Sequence, residues 1–500
     1  MCITEYRLEK LRKHCSPRAT FDAAERFDPP RCAENTRIEI IQRIEQWINN
    51  DGSNTVPASL FWLYGGAGVG KSAIAQTLAE KFHQEKKLAA SFFFFRNDPL
   101  RNDGDTLIPT LVSQLVSTFK GLGPLVEESI HASPDLFSKQ CQTQIEDLLL
   151  EPLLRLKSSK PLSFLPRPSV KPILGLISKD ALRSRPRLIV IDGLDECHNP
   201  EVQCNLLRVI ANAVPRIPYP LRFLITSRPE PHIVRLFNHD PALQAIVFDR
   251  YNLSDDPDAD MDIRRFLEKE FEEIRRSHCL SKYLPPTWPD KNSITTLVER
   301  SSGHFIYATT VIRYIQSDQH RPDERLQVIF RLQPPQEQDQ PYTQLDALYS
   351  LILRGVEGHE KLEKVCLVLG CVLINQASLL IHKPCSVCTI ERILGMKAGD
   401  VILLLSPIHS LVAIDNDEVR ILHKSLIDYL LDPTRCGQLQ ISFDLVRVHG
   451  LAATCILRDK IMANNCGVPF LVHVSIPTHC FCSKHYLNSQ LLHITANMDI

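Results

Sequence analysis

The sequence predicts a doubly wound α/β domain built on a parallel sheet, followed by a mainly helical region. Three observations lead there. Five short apolar runs succeed one another in the first half of the chain, with helix-like stretches between them. The runs are nearly continuous rather than alternating, as strands covered on both faces are. Beyond residue 252 the strand-like runs give way to helical apolar spacing.

The elements follow in order. Residues 1–29 read as a short extension ahead of the α/β domain, which spans 30–252. Leu60–Tyr64 is the first strand, and Ala73–Phe82 after it has helical spacing. Ala89–Phe95 is the second strand, with helix-like stretches at Thr106–Phe119 and Thr143–Leu156. Ser158 to Pro186 carries Pro161, Pro166, Pro168, Pro172 and Pro186 and reads as a solvated insertion. Leu188–Ile191, Leu221–Thr226 and Ala245–Phe248 complete the strand set, with a helix at Glu201–Ala213. Asp262–Arg276 and Ser293–Ile315 are helix candidates of a second region, 253–331. Residues 332–341 are polar and proline-rich, a linker. A further unit runs over 342–440, and 441–500 begins another helical region with an irregular tail. No internal repeat is visible.

Composition narrows the function classes. The chain has 500 residues, a formal net charge of −1, 44% hydrophobic and 23% charged residues. A balance near zero gives no electrostatic reason for a nucleic-acid or membrane partner. The longest apolar stretch, Val365 to Ile381, is interrupted by Asn375, Gln376 and Ser378, so it reads as core. The 16 cysteines are scattered and no export signal precedes them, which points to free thiols in the cytoplasm. Two clusters hold metal-ligand residue types: His382, Cys385 and Cys388, then His473, His479, Cys480, Cys482 and His485. Neither has a second pair at a standard zinc spacing, so incidental thiols are the expectation.

The chemistry lies between the first strand and its helix. Gly65-Gly66-Ala67-Gly68-Val69-Gly70-Lys71-Ser72 fits the pattern G-x-x-x-x-G-K-[ST] in the strand, loop, helix context it requires. Glycines allow successive backbone N–H groups to face one concavity, and the helix start at Ala73 adds partial positive charge. Lys71 would reach the terminal phosphates of a nucleotide, and the Ser72 hydroxyl would ligate Mg²⁺. Leu188–Ile191 then ends in Asp192, the second carboxylate arrangement such sites use to hold Mg²⁺. Asp195 and Glu196 follow; they either orient an attacking water or cap the next turn. Arg228, after Leu221–Thr226, lies at the same sheet edge. It either senses a γ-phosphate or pairs structurally with an acid.

These residues resemble one family. The glycine loop, the Asp192-Gly193-Leu194-Asp195-Glu196-Cys197 box and Thr226-Ser227-Arg228-Pro229 resemble the NACHT domain of the STAND class of AAA+ NTPases. Within it they are most similar to the fungal branch with nephrocystin-type N-terminal domains. Cys32–Arg37 resembles the peptide near the adenine, Ser302–Ala308 the helical lid domain, and His423–Leu430 the winged-helix segment whose histidine senses ADP. A lone histidine of this kind is equally a satisfied core residue. The resemblance implies a five-stranded sheet with the phosphate loop on a central strand, then a lid and a winged helix. It further implies a nucleotide-gated signal-transduction switch: an ADP-bound monomer, a homo-oligomer with ATP, protein effector partners, and slow ATP hydrolysis as reset. The rivals are a non-hydrolysing scaffold stabilised by nucleotide and a P-loop catalytic NTPase or kinase with its own substrate.

Overall fold

The computed structural model describes residues 8–26, 28–49, 58–96, 98–158, 188–332, 342–356, 358–377, 386–415 and 417–436. The proline-rich insertion, the polar linker, His382, Cys385 and the histidine and cysteine cluster after residue 472 lie outside the described residues, apart from Ser158 and Leu332 at the edges. The chain divides into two compact units. The first comprises residues 1–270 and 291–308; the second comprises residues 271–290 and 309–500.

The first unit is built on five parallel strands: β1 (Leu60–Tyr64), β2 (Leu88–Phe93), β3 (Leu188–Asp192), β4 (Arg222–Ser227) and β5 (Phe248–Asn252), in the order β2-β3-β4-β1-β5. The expected five-stranded α/β sheet is therefore present. β1, which delivers the glycine loop, is an interior strand, while β4 is the middle one.

Alternation along continuous apolar strands sends side chains into two separate cores. On one face Phe61, Leu63, Phe93, Val190 and Leu224 pack on α2 (Ile38–Asn49) and α3 (Lys71–Gln84). On the other face Leu60, Trp62, Phe92, Ile191, Phe223 and Ile225 pack on α4 (Leu107–Thr118), α5 (Leu122–Ala132) and the helices Pro200–Ala213 and Pro231–His239. The second core also takes Leu11, from α1 (Glu9–Lys13), and Ala19, so the segment ahead of residue 30 belongs to this unit.

Two expected elements differ. The edge strand is Phe248–Asn252, not Ala245–Phe248. Val247 is apolar yet 53% exposed, while Asp249 is held in the ladder opposite Phe61 and bonds Arg43 at 3.0 Å. The span Ser293–Ile315 holds two helices, Lys291–Ser301 and Phe305–Ile315. The break falls where Ser302 and Gly303 adopt φ of +46° and +74°, which no α-helix accommodates.

The second unit is mainly helical among its described residues. Helices Thr343–Arg354, His359–Ala377, Val387–Leu394 and Asp400–Leu405 precede an antiparallel hairpin of β6 (Val412–Asp415) and β7 (Glu418–Ile421), then a helix at Lys424–Leu431. Buried hydroxyl pairs tie the helices Thr343–Arg354 and Lys424–Leu431: Tyr349 to Ser425 and Ser350 to Tyr429, both at 2.6 Å. Among the described residues no helix is long and apolar enough to cross a membrane.

Candidate functional site

Because every strand of the sheet runs the same way, the carboxyl ends of β1, β3 and β4 open on one edge, where α/β sheets bind ligands. β1 ends at Tyr64 and the chain turns through Gly65, Gly68 and Gly70, with φ of +156°, +77° and +102°. Gly68 is required twice over. Its φ is left-handed, and a Cβ there would stand 2.2 Å from Ile306 Cγ2. Gly70 is the N-cap of α3 and has no side-chain cap, so the helix start faces the loop with its backbone donors. Ala67 and Val69 are buried within the loop, and Ala73 lies in the first turn of α3.

The loop is gripped from outside by three segments. The Gly66 N–H donates to Ser254 Oγ at 2.9 Å. The Ile306 N–H donates to the Gly68 carbonyl at 3.2 Å. Arg37 Nη2 donates to the Val69 carbonyl at 2.8 Å, while its Nη1 pairs with Asp256 and its backbone N–H donates to Asp262 at 2.8 Å. Lys71 Nζ folds over the loop, donating to the carbonyls of Gly65 and Gly66 at 2.8 and 2.7 Å. A primary ammonium on loop carbonyls is already placed above the concavity it would share with a phosphate chain.

Asp192 completes the floor. It is buried, and burial pushes its carboxyl above the ordinary value; hydrogen bonds from Thr226 and Ser72 and the charge of Arg26 oppose that shift. Thr226 is the pivot. Its hydroxyl donates to Asp192 Oδ1 at 2.6 Å and accepts from the Gly193 N–H at 2.9 Å. This fixes both the carboxylate and the left-handed turn at Gly193, whose φ is +69°. The Ser72 hydroxyl and the Asp192 carboxylate, near enough that the hydroxyl favours the charged carboxylate, are two hard oxygen donors, a donor set that fits Mg²⁺ and not a soft metal.

The remaining candidates divide. Asp195 is buried; its carboxylate accepts from the Arg228 N–H at 3.0 Å and faces Arg228 Nε at 3.5 Å. These two are thus brought together as an ion pair, the structural alternative for Arg228. Glu196 is half-buried and accepts from the Arg96 N–H at 3.1 Å. His423 lies in the second unit as the N-cap of the helix Lys424–Leu431: its Nδ1 accepts from the Ser425 N–H at 3.1 Å. The sequence reading gave no role to Thr226, Ser254, Arg26 or Ile306. Thr226 had the only local signal, a polar residue closing an apolar strand beside the Asp192 strand.

Comparison with known proteins gives the following. The family described as nephrocystin 3, N-terminal, matches residues 38–165 and 166–228. No curated protein matches. Similar solved structures include the Walker-type ATPase PABY2304 of Pyrococcus abyssi, 13% identical, with 84% of this chain and 99% of that chain covered at a TM-score of 0.38. The ORC2 protein of Aeropyrum pernix is 12% identical, with 88% of this chain and 98% of that chain covered at a TM-score of 0.34. The ORC1 protein of Aeropyrum pernix, solved in complex with DNA, is 13% identical, with 87% and 95% covered at 0.32. Scores this low add nothing to what the sheet itself shows. Over residues 38–228, from α2 through the Thr226-Ser227-Arg228 turn, the chain is similar to the nephrocystin 3 N-terminal family.

Proposed function

We propose that this chain is an ATP- and ADP-binding switch of the NACHT type, with Mg²⁺ as its cation and slow hydrolysis as its reset. The observation that carries the reading is a buried Asp192 fixed by Thr226 at 2.6 Å and influenced by the Ser72 hydroxyl, on the same sheet edge as a glycine loop whose lysine folds over its own carbonyls. Main-chain amides and Lys71 would hold the phosphates, and Ser72 with Asp192 would hold Mg²⁺. The cation, when bound, would neutralise charge on the phosphate oxygens. Glu196 would orient the attacking water. Asp195 would keep Arg228 at the sheet edge.

A switch reading is supported by the grip on the loop. Ser254, Arg37 and Ile306 reach it from segments far apart in sequence, so a change in loop occupancy is felt by three elements at once. Turning a switch from almost wholly closed to almost wholly open requires about 5.5 kcal/mol of differential binding. The domain limits of the sequence reading (nucleotide domain 30–252, lid 253–331, winged helix 342–440), the ADP-sensing role of His423, the effector partners and a cytoplasmic location belong to this proposal. His423 rests on the resemblance alone. Native mass spectrometry tests the switch: the purified chain should retain ADP and gain higher-order species when ATP replaces it. A monomer with either nucleotide, or rapid turnover, would overturn the switch in favour of a scaffold or a catalytic NTPase.

A further inference from the structure

The turn after β2 carries an arginine that the site as described does not use. Phe93, the last residue of β2, stands in register with Asp192, and the Phe94 N–H donates to the Asp192 carbonyl at 2.9 Å. The chain then folds back on itself: Phe95 N–H donates to the Arg101 carbonyl at 3.1 Å and Arg101 N–H to the Asp98 carbonyl at 2.8 Å. This returns the Arg101 side chain to the end of β2. Its Nε donates to the Phe93 carbonyl at 3.2 Å, and its guanidinium lies 5.0 Å from the Phe95 ring centroid.

Neighbouring arginines have their charged edges engaged. Arg228 faces Asp195, Arg96 donates to the Asp195 carbonyl at 3.1 Å, and Arg26 donates to Gln76 at 2.7 Å and the Phe21 carbonyl at 3.2 Å. Arg101 differs. Among the described residues only Nε–H, of its five donors, has a hydrogen-bond partner. Burial lowers its pKa, while the acids it faces, Asp98, Glu196, Asp192 and Glu25, oppose that. Two of those acids are the ones expected to hold the cation and orient the water. A guanidinium anchored at one nitrogen, with its fork left open beside them, has the shape and charge to grip a phosphoryl group.

We propose that Arg101 binds the third phosphate of a nucleoside triphosphate and so distinguishes it from the diphosphate. This rests on the nucleotide reading above, and it supplies a γ-phosphate contact other than Arg228, whose charge is shared with Asp195. The full-length chain is titrated calorimetrically with Mg²⁺ and either ADP or a β,γ-imido ATP analogue. Arg101→Ala should weaken the triphosphate analogue roughly ten- to hundredfold and change ADP by less than about threefold. Arg101→Lys keeps the charge and the packing on Phe95 but loses the fork, so it should lose triphosphate affinity selectively and to a smaller degree. It also serves as the test should the alanine variant not fold. An unchanged triphosphate-to-diphosphate ratio in the folded variants, with the parent binding both, overturns the role of Arg101 alone. A parent chain that binds neither nucleotide overturns this role and the nucleotide reading together.

Discussion

Replacing Gly68 by alanine probes how tightly the phosphate loop is clamped. The left-handed φ of +77° costs an alanine about 1–2 kcal/mol relative to glycine. The new methyl would also meet Ile306 Cγ2 at 2.2 Å and Ile306 Cβ at 2.8 Å. A rotamer change moves the first atom but not the second, so the start of the helix Phe305–Ile315 must shift. That shift strains the Ile306 N–H to Gly68 bond, worth about 0.5–1.5 kcal/mol. Together these give roughly 1.5–3.5 kcal/mol of lost stability. Denaturant unfolding followed by tryptophan fluorescence measures it, since Trp47 and Trp62 both lie in the first unit. The decisive reading is a double-mutant cycle. In an Ile306→Gly background, which removes both atoms, the same substitution should cost about 1 kcal/mol less, because the helix start no longer has to shift. Costs that add to within about 0.5 kcal/mol would refute the contact between loop and helix.

Further outcomes follow from the same geometry. Thr226→Val leaves the buried Gly193 N–H without its acceptor and removes the donor to Asp192, so stability should fall by about 2–4 kcal/mol; a loss under about 0.5 kcal/mol in urea denaturation would contradict the bridging role. Arg37→Met strands Asp256 in a site where the two side chains are 2% and 6% exposed, and should cost about 3–5 kcal/mol. Adding Asp256→Asn should restore part of that loss, read by the same urea denaturation. Burial pushes the Cys15, Cys32, Cys141 and Cys197 thiols up to about 11, and Cys366 and Cys371 to about 12. Native alkylation at pH 8, mapped by peptide, should therefore modify the exposed Cys279 and Cys388 first and leave these six intact. The unfolded thiols ionise before the folded ones, so stability contributed by these groups should be intact below the ordinary thiol value and decline as pH rises from there toward about 11 to 12. A flat profile across that range would contradict the burial.

How much of this is legible in the sequence depends on where the signal sits. β1, β3 and β4 are buried on both faces, so their sequences are continuous apolar runs; β1 is readable with its observed limits, and β3 and β4 with limits shifted by a residue. β5 was misplaced because an edge strand is half-exposed and carries Asp249 and Arg250, while the more apolar run before it is solvent-facing at Val247. α2 was overlooked although Ile40, Ile44, Trp47 and Ile48 mark one helical face. The site shows the same division. The glycine loop and Asp192 are local patterns on strands. Ser254, Ile306, Arg37 and Arg101 reach the site through tertiary packing, and no spacing rule relates them to residue 65. Asp195 and Arg228 were both noticed, but only the fold shows that they face each other.

The central claim is that the loop at residues 65–72 holds nucleotide phosphates with Lys71 as their cationic clamp. Calorimetric titration of Mg·ADP into the parent chain and into Lys71→Ala tests it directly. The account predicts saturable heat for the parent and a loss of affinity of at least about tenfold for the variant, because a charged phosphate contact is removed. Equal heats for two folded proteins, or none from either, would contradict it.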